Sequence, residues 1–381
     1  MAIVLLAGFF MSLFFFVLLM GKKNKTKADK ALLCIFAVYA LTIGGPYIEI
    51  FNRNNGFPYP HLINNAWLFL LLHGPLLWLY VKSLTIKNVK IKPVHLLHLL
   101  PFAVFLGLHM HNFLFLPADE KILLTKDELF TQTGLFKIRG ISIGIFSIGY
   151  NIWALRLLRK HRTTIENHFS NIEKIDLWWL KTLVVASLIV FSVNVALFNI
   201  NNFFPFAGFY ELAQIAYSFS TAYVFYIGYF GIRQGRIFVD YPIAEIEQAL
   251  EPTQLHQPET TKQKNHSDVI ARLTQLMESE QPHLDPELNL ASLSNLMKAK
   301  PEIISEVLNA SLNQNFFDFI NKYRIEEFKL KCLSKENKHL SVMGIAYDCG
   351  FNSKAAFYRA FNKFEGISPT AYISSVHTMN K

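Results

Sequence analysis

Seven runs of about twenty mostly apolar residues follow one another between residues 2 and 232, and none follows them. A run of that length, wound as a helix, matches the hydrocarbon thickness of a bilayer. Inside lipid each backbone polar group needs a partner within the protein, which leaves helices or closed barrels. Barrel strands read as ten-residue alternating segments, so continuous runs select helices. The predicted spans are roughly 2–20, 31–50, 62–81, 94–116, 138–158, 178–200 and 212–232. Gly44-Gly45-Pro46 predicts a kink in the second. Ala2–Met20 has no basic leader and no small-x-small cleavage site, so it reads as a span rather than a signal peptide.

The distribution of Lys and Arg sets the direction of insertion. Sixteen lie in or beside the connections after spans 1, 3, 5 and 7, against four on the other side: Arg53, Lys121, Lys126 and Lys137. The alternation is regular and requires an odd number of spans. It places the N-terminus outside and everything after Ile232 in the cytoplasm. The longest outer connection, about 117–137, is too short for a ligand-binding domain of its own. Any signal must be read by the bundle, by short loops or by a partner.

The chain is 52% hydrophobic and 17% charged, but after Tyr241 it reads as an ordinary polar helical protein. This gives three expected regions: a membrane domain over 1–236, a linker over 237–265 and a second domain over 266–381. The linker holds Pro242, Pro252 and Pro258 among Gln, Thr and Glu, with no apolar period. The three cysteines, Cys34, Cys332 and Cys349, form neither a CxxC nor a zinc spacing, so no disulfide, metal or cofactor is expected. HExxH is absent, and no enzyme activity is expected.

The tail predicts short paired helices. Val269, Ile270, Leu273 and Leu276 form one apolar face. Asn289 can cap a helix through Met297; a tight turn at Lys298–Lys300 follows, and Pro301 suits the first position of a helix over about 302–310. Asn315–Leu333 reads as one longer helix. Ser341 caps another, Gly350 supplies its left-handed stop, and Asn352 or Ser353 caps a last one through Phe364. Two short helices joined by three or four residues are a helix-turn-helix, whose second helix can enter the major groove of DNA. The expected fold is therefore all-α: a seven-helix transmembrane bundle, then a cytoplasmic helical domain with two helix-turn-helix units.

The stretch from Phe319 to Ile373 resembles the DNA-binding domain of AraC-type transcription regulators. The resemblance is carried by Arg324-Ile325, Ile345-Ala346, Gly350-Phe351, Phe357, Arg359, Phe361, Gly366, Ser368-Pro369 and Tyr372. It covers about 267–373, and over its whole length the chain resembles the subgroup with seven N-terminal spans. Three positions depart from the family: Leu312-Asn313-Gln314 replaces a Gly-containing turn, Phe328 stands where Ala is usual, and Ile373 follows Tyr372 in place of Arg. The resemblance implies a regulator of the bacterial inner membrane that binds double-stranded DNA with two recognition helices. It offers Glu302, Ile303, Ser305 and Glu306 from the first, where the two acids equally suit a solvated face. From the second it offers Asn352, Ser353, Lys354 and Tyr358, with Arg359 and Lys363 near phosphates. Arg324 contacts DNA or, preferably, pins the two units together. Val342, Ile345, Ala346, Phe351, Phe357 and Phe361 are core by spacing.

Polar residues inside the spans invite a sensing role. Glu49 and His73 are the candidates for a buried sensor, while His95 and His98 suit the interface better than a metal. The expected partners are DNA, the bilayer, an unidentified signal and a second copy of the chain. A transporter or membrane enzyme with a protein-binding tail is the alternative. Net charge is no guide: the chain carries +9, yet residues 266–381 balance to zero. The surplus orients the spans.

Overall fold

The computed structural model describes residues 1–86, 89, 92–126, 128–204, 207–234 and 262–379. The linker expected over 237–265 falls outside these residues as far as 261. The chain divides into two compact units: Met1–Arg159 with Leu177–Asp240, and Lys160–Asp176 with Tyr241–Lys381.

The first unit holds α1 (Ala2–Met20), α2 (Lys27–Asn54), α3 (Trp67–Thr85), α4 (Leu100–His109), α5 (Ala118–Lys126), most of α6 (Gly134–His168), α7 (Trp178–Phe203) and α8 (Phe209–Gln234). Thr26 caps α2 by accepting from the Asp29 amide, and Asp29 returns a bond to the Thr26 amide. The helix then runs through Pro46 without a break. Close packing is built into its two glycines: a Cβ at Gly44 would lie 2.9 Å from the Phe9 ring, and one at Gly45 2.5 Å from Ala66 Cβ. Phe15 of α1 stacks on Phe36 of α2 at 5.2 Å, and Tyr39 of α2 meets His73 of α3 at 4.1 Å.

Among the described residues, six helical segments are long and apolar enough to cross a membrane: Ala2–Met20, Lys27–Asn54, Pro60–Thr85, Pro93–Leu114, Gly134–His168 and Trp178–Asn201. The seventh expected span is α8, a helix of 26 residues that is not among the six. Tyr210, Tyr217, Tyr223, Tyr226 and Tyr229 dilute its apolar character. Large apolar side chains face outward, including Ile3 (83% exposed), Val17 (66%) and Ile145 (65%), an arrangement suited to lipid rather than water.

α6 is longer than the apolar run that announces it. The expected span ends near residue 158, but the helix continues to His168 through RKHRTTIENH, which contains no Gly or Pro to stop it. Its last turns, with the connection to α7, belong to the second unit. There Ile165, Ile172 and Ile175 form a buried cluster with Phe169 and Phe317.

The second unit also contains α9 (Lys262–Ser279), α10 (Leu290–Met297), α11 (Pro301–Glu306), α12 (Phe316–Leu333), α13 (Val342–Asp348), α14 (Lys354–Glu365) and α15 (Pro369–Met379). Two cores sit on the long helix α12. One gathers Leu273, Leu293, Ile304, Leu308, Phe316 and Ile320; the other gathers Ile325, Phe328, Ile345, Phe351, Phe357 and Phe361. Among the described residues no strand forms, only an isolated bridge between Phe169 and Asn289.

Candidate nucleic-acid interface

Each helix-turn-helix is fixed by local chemistry at its ends. Asn289 accepts from the Ser292 amide at 2.9 Å and starts α10. Lys298 ends it in the left-handed region at φ +50°, and Pro301 opens α11. The helix expected over 302–310 is α-helical only to Glu306; Val307–Ser311 widens into a π turn. That widening lets Val307 and Leu308 both reach the core. Asn313 takes φ +50°, the conformation that a glycine would otherwise supply.

In the second unit Ser341 accepts from the Gly344 amide at 3.0 Å and starts α13. Gly350 turns the chain at φ +87°. Ser353, rather than Asn352, caps α14 by accepting from the Ala356 amide at 3.1 Å. The large residue at Phe328 is accommodated by aromatic packing, 4.6 Å from Phe357 and 5.6 Å from Phe361. Tyr372 closes the same cluster, 5.4 Å from Phe361.

The two second helices present different surfaces. On α11, Glu302, Ile303 and Glu306 are exposed and Ser305 is half-buried. On α14, Lys354, Arg359 and Lys363 are exposed, Asn352 is exposed just before the helix, and Tyr358 is half-buried. Lys363 pairs with Asp318 of α12 at 2.6 Å, and Arg359 with Glu173 at 3.3 Å. Lys354 has no acidic partner among the described residues; its ammonium lies 5.4 Å from the Tyr358 ring centre. The acids of α11 would repel phosphate and the cations of α14 would attract it, so the two helices are unequal toward DNA.

Arg324 is buried, 1% exposed, and reaches two other chain segments. Its Nε donates to the His283 carbonyl at 2.7 Å and its Nη2 to the Asp285 carbonyl at 2.7 Å. The guanidinium also donates to the Ser170 hydroxyl at 3.0 Å and the Ser170 carbonyl at 3.3 Å. Of the two roles expected for it, this is the pinning geometry. Burial lowers its pKa to about 10, which leaves it charged at neutral pH. Ser170 in turn donates its hydroxyl at 2.6 Å and its amide at 3.2 Å to the Leu288 carbonyl. Ser170 and Glu173 are not visible as functional in the sequence. The one available signal is the apolar Ile165, Phe169, Ile172 and Ile175 in a connection that should otherwise be polar.

Burial also lowers the pKa of His283 to about 4, with the Arg324 charge adding to it. The unfolded value is about 6.5, so this histidine stabilises the domain fully above about pH 6.5. That contribution is lost progressively as the pH falls toward about 4, because the unfolded chain binds the proton first. The expected loss is about 2–3 kcal/mol. Hydrogen exchange of α12, corrected for the intrinsic pH dependence, should lose protection across that window. His283→Gln should flatten the loss; an identical pH profile in the variant would refute the assignment. Burial pushes the Cys332 thiol up to about 11 and the Cys349 thiol up to about 12, so neither is an activated thiolate.

Within the first unit, Glu49 and His73 take separate partners. Glu49 accepts from Arg53 Nε at 3.2 Å and from the Asn64 amide at 3.2 Å. His73 Nε2 lies 3.0 Å from Thr42 Oγ1. His95 and His98 also separate, to Lys82 Nζ at 2.9 Å and the Tyr150 hydroxyl at 2.6 Å. Among the described residues no group of three or more His, Cys, Asp or Glu could hold a metal ion.

Residues 293–375 match the family model of a helix-turn-helix domain. No curated protein and no solved structure matches the chain. The matched segment begins within α10 and ends within α15, so it includes α11, α14 and the long helix α12 between the two helix-turn-helix units. Residues 293–375 are thus a helix-turn-helix domain of the AraC type, which supports a DNA-binding transcription regulator.

Proposed function

We propose that the chain is a membrane-bound, sequence-specific transcription regulator whose N-terminal bundle passes a signal to the DNA-binding domain through the connection between α6 and α7. The observation that carries this reading is the pairing of that connection with the domain: Ser170 bonds to Arg324, and Glu173 pairs with Arg359 on α14. A carboxylate on Arg359 stands in for the DNA phosphate that the same guanidinium would bind. The connection is joined directly to two membrane helices, so a change in their packing moves or releases it.

The bundle is read as seven spans, α8 being the last, with the N-terminus outside and the tail in the cytoplasm of a bacterial cell. The regulator extends over a membrane domain (1–236), a tether (237–265) and a DNA-binding domain (266–381). The tail has no net charge, which implies weak non-specific binding and favours a dimer that gains from effective concentration at the membrane. Base contacts are assigned mainly to Asn352, Lys354 and Tyr358, with Glu302, Ile303, Ser305 and Glu306 facing DNA less favourably. Arg359 and Lys363 approach phosphates.

The test is selection of random duplexes by the full chain in nanodiscs, with salt varied, followed by Glu173→Gln. Wild type should enrich one sequence, and the variant should bind it about two- to five-fold more tightly, the worth of a partly exposed ion pair. Absence of any enriched sequence would favour a protein-binding tail. Unchanged affinity in the variant would remove the α6–α7 connection from the mechanism.

A further inference from the structure

A cavity of about 780 Å³ opens within the membrane unit among α3, α6, α7 and α8. Its size falls in the range of small-molecule sites. The wall is mainly apolar, from Phe136, Ile145, Phe191 and Phe198. Two cationic residues line it, Lys137, which is exposed, and Arg139, which is buried at 8% exposure. Its guanidinium carbon lies 4.3 Å from the Phe136 ring centre and 4.5 Å from that of Trp67. Among the described residues it has aromatic faces but no carboxylate partner. The acid of the neighbouring helix, Glu49, is already held by Arg53 and the Asn64 amide. A second polar group on the wall, Asn194, has a buried Oδ1 with no hydrogen-bond partner.

A buried charge is costly unless it is paired, and aromatic faces offset only part of that cost. We infer that the cavity binds an amphipathic anion, its carboxylate or phosphate on the Arg139 guanidinium, its aliphatic part along the apolar wall. The unpartnered Asn194 Oδ1 is an acceptor, so it suits a hydroxyl on the ligand and not the anionic group itself. Arg139 lies in the second turn of α6, the helix whose far end enters the DNA-binding unit. A ligand there sits on the element best placed to carry a signal. That last step rests on the regulator function proposed above; the binding does not.

The probe is laurate, with dodecanol as its neutral counterpart, applied to the full chain in nanodiscs of zwitterionic lipid. Laurate should bind at least ten-fold more tightly than dodecanol, and Arg139→Gln should abolish the difference. A second variant guards against misfolding: a Cβ at Gly140, on the cavity wall, would meet nothing within 4 Å. Gly140→Leu should therefore fold, keep Arg139 and still lose laurate by filling the cavity. Equal affinity for the two probes, or laurate binding unaffected by both variants, overturns the site. A parallel arm replaces a third of the lipid with an anionic phospholipid. Competition with laurate there identifies a lipid headgroup as the occupant, and its absence identifies a free anion. Laurate binding without any change in DNA affinity upholds the site and instead refutes the coupling.

Discussion

Arg324→Leu should destabilise the C-terminal unit by roughly 3–5 kcal/mol, the largest effect expected of any single side-chain truncation in it. The leucine leaves the carbonyls of His283, Asp285 and Ser170, and the Ser170 hydroxyl, without the donor that now meets them at 2.7–3.3 Å. Buried acceptors stripped of a charged donor lose far more than the net worth of an exposed hydrogen bond. Arg324→Lys should recover little, because one ammonium cannot span positions that a planar guanidinium reaches with three nitrogens. Chemical unfolding of the full chain, followed by hydrogen exchange over 282–333, measures the loss. A direct DNA contact would behave otherwise, with lower affinity at unchanged stability. That outcome, or a loss below about 1 kcal/mol, would sink the pinning role.

The reason Arg324 was only half legible in the sequence lies in where its acceptors come from. They sit 41, 39 and 154 residues away along the chain. Nothing in local spacing announces a contact between α12 and the connection preceding α7. By contrast, the second helix-turn-helix was almost wholly legible, since Ser341, Gly350 and Ser353 act on their immediate neighbours. Even there the sequence left Asn352 and Ser353 open as caps, and the hydrogen bond to Ala356 selects Ser353.

Helix ends failed in a consistent way. The end of α6 follows neither hydropathy nor the edge of the apolar run, because polar helix formers carry it on to His168. The end of α11 comes early because Val307 and Leu308 both turn inward, which regular α-helical spacing resists. Among the described residues, six of the seven expected spans coincide with helices long and apolar enough to cross a membrane; α8 is not among them, and one of its tyrosines, Tyr223, donates to the Leu183 carbonyl at 3.1 Å. The cavity at Arg139 was not legible at all. An arginine near the start of a span reads as an interfacial charge until its neighbours are known.

Gly350→Ala should be nearly as damaging as the loss of Arg324, and it should abolish DNA binding by a different route. Gly350 holds φ +87°, where a Cβ is disfavoured by about 1–2 kcal/mol. That Cβ would also stand against the His283 carbonyl oxygen, 2.9 Å from Arg324 Nε and 3.0 Å from the Leu284 carbonyl oxygen. None of these atoms can retreat freely, since the first two are bonded to each other. The expected loss is on the order of 3 kcal/mol, once the forced shift is added to the strain. The turn is also what aims the second recognition helix. The Phe351 amide donates back to the Ala346 carbonyl at 3.2 Å, and α14 begins only three residues later at Lys354. A shift at Gly350 therefore displaces Asn352 and Lys354, so DNA affinity should fall by more than ten-fold. Gly366→Ala separates strain from collision. Gly366 has φ +72°, but a Cβ there would meet nothing within 4 Å. It should lose only about 1–2 kcal/mol and keep its DNA affinity within about two-fold. Equal losses at the two glycines would mean that backbone strain alone accounts for Gly350, and that the contact of the turn with His283 and Arg324 does not position the recognition helix.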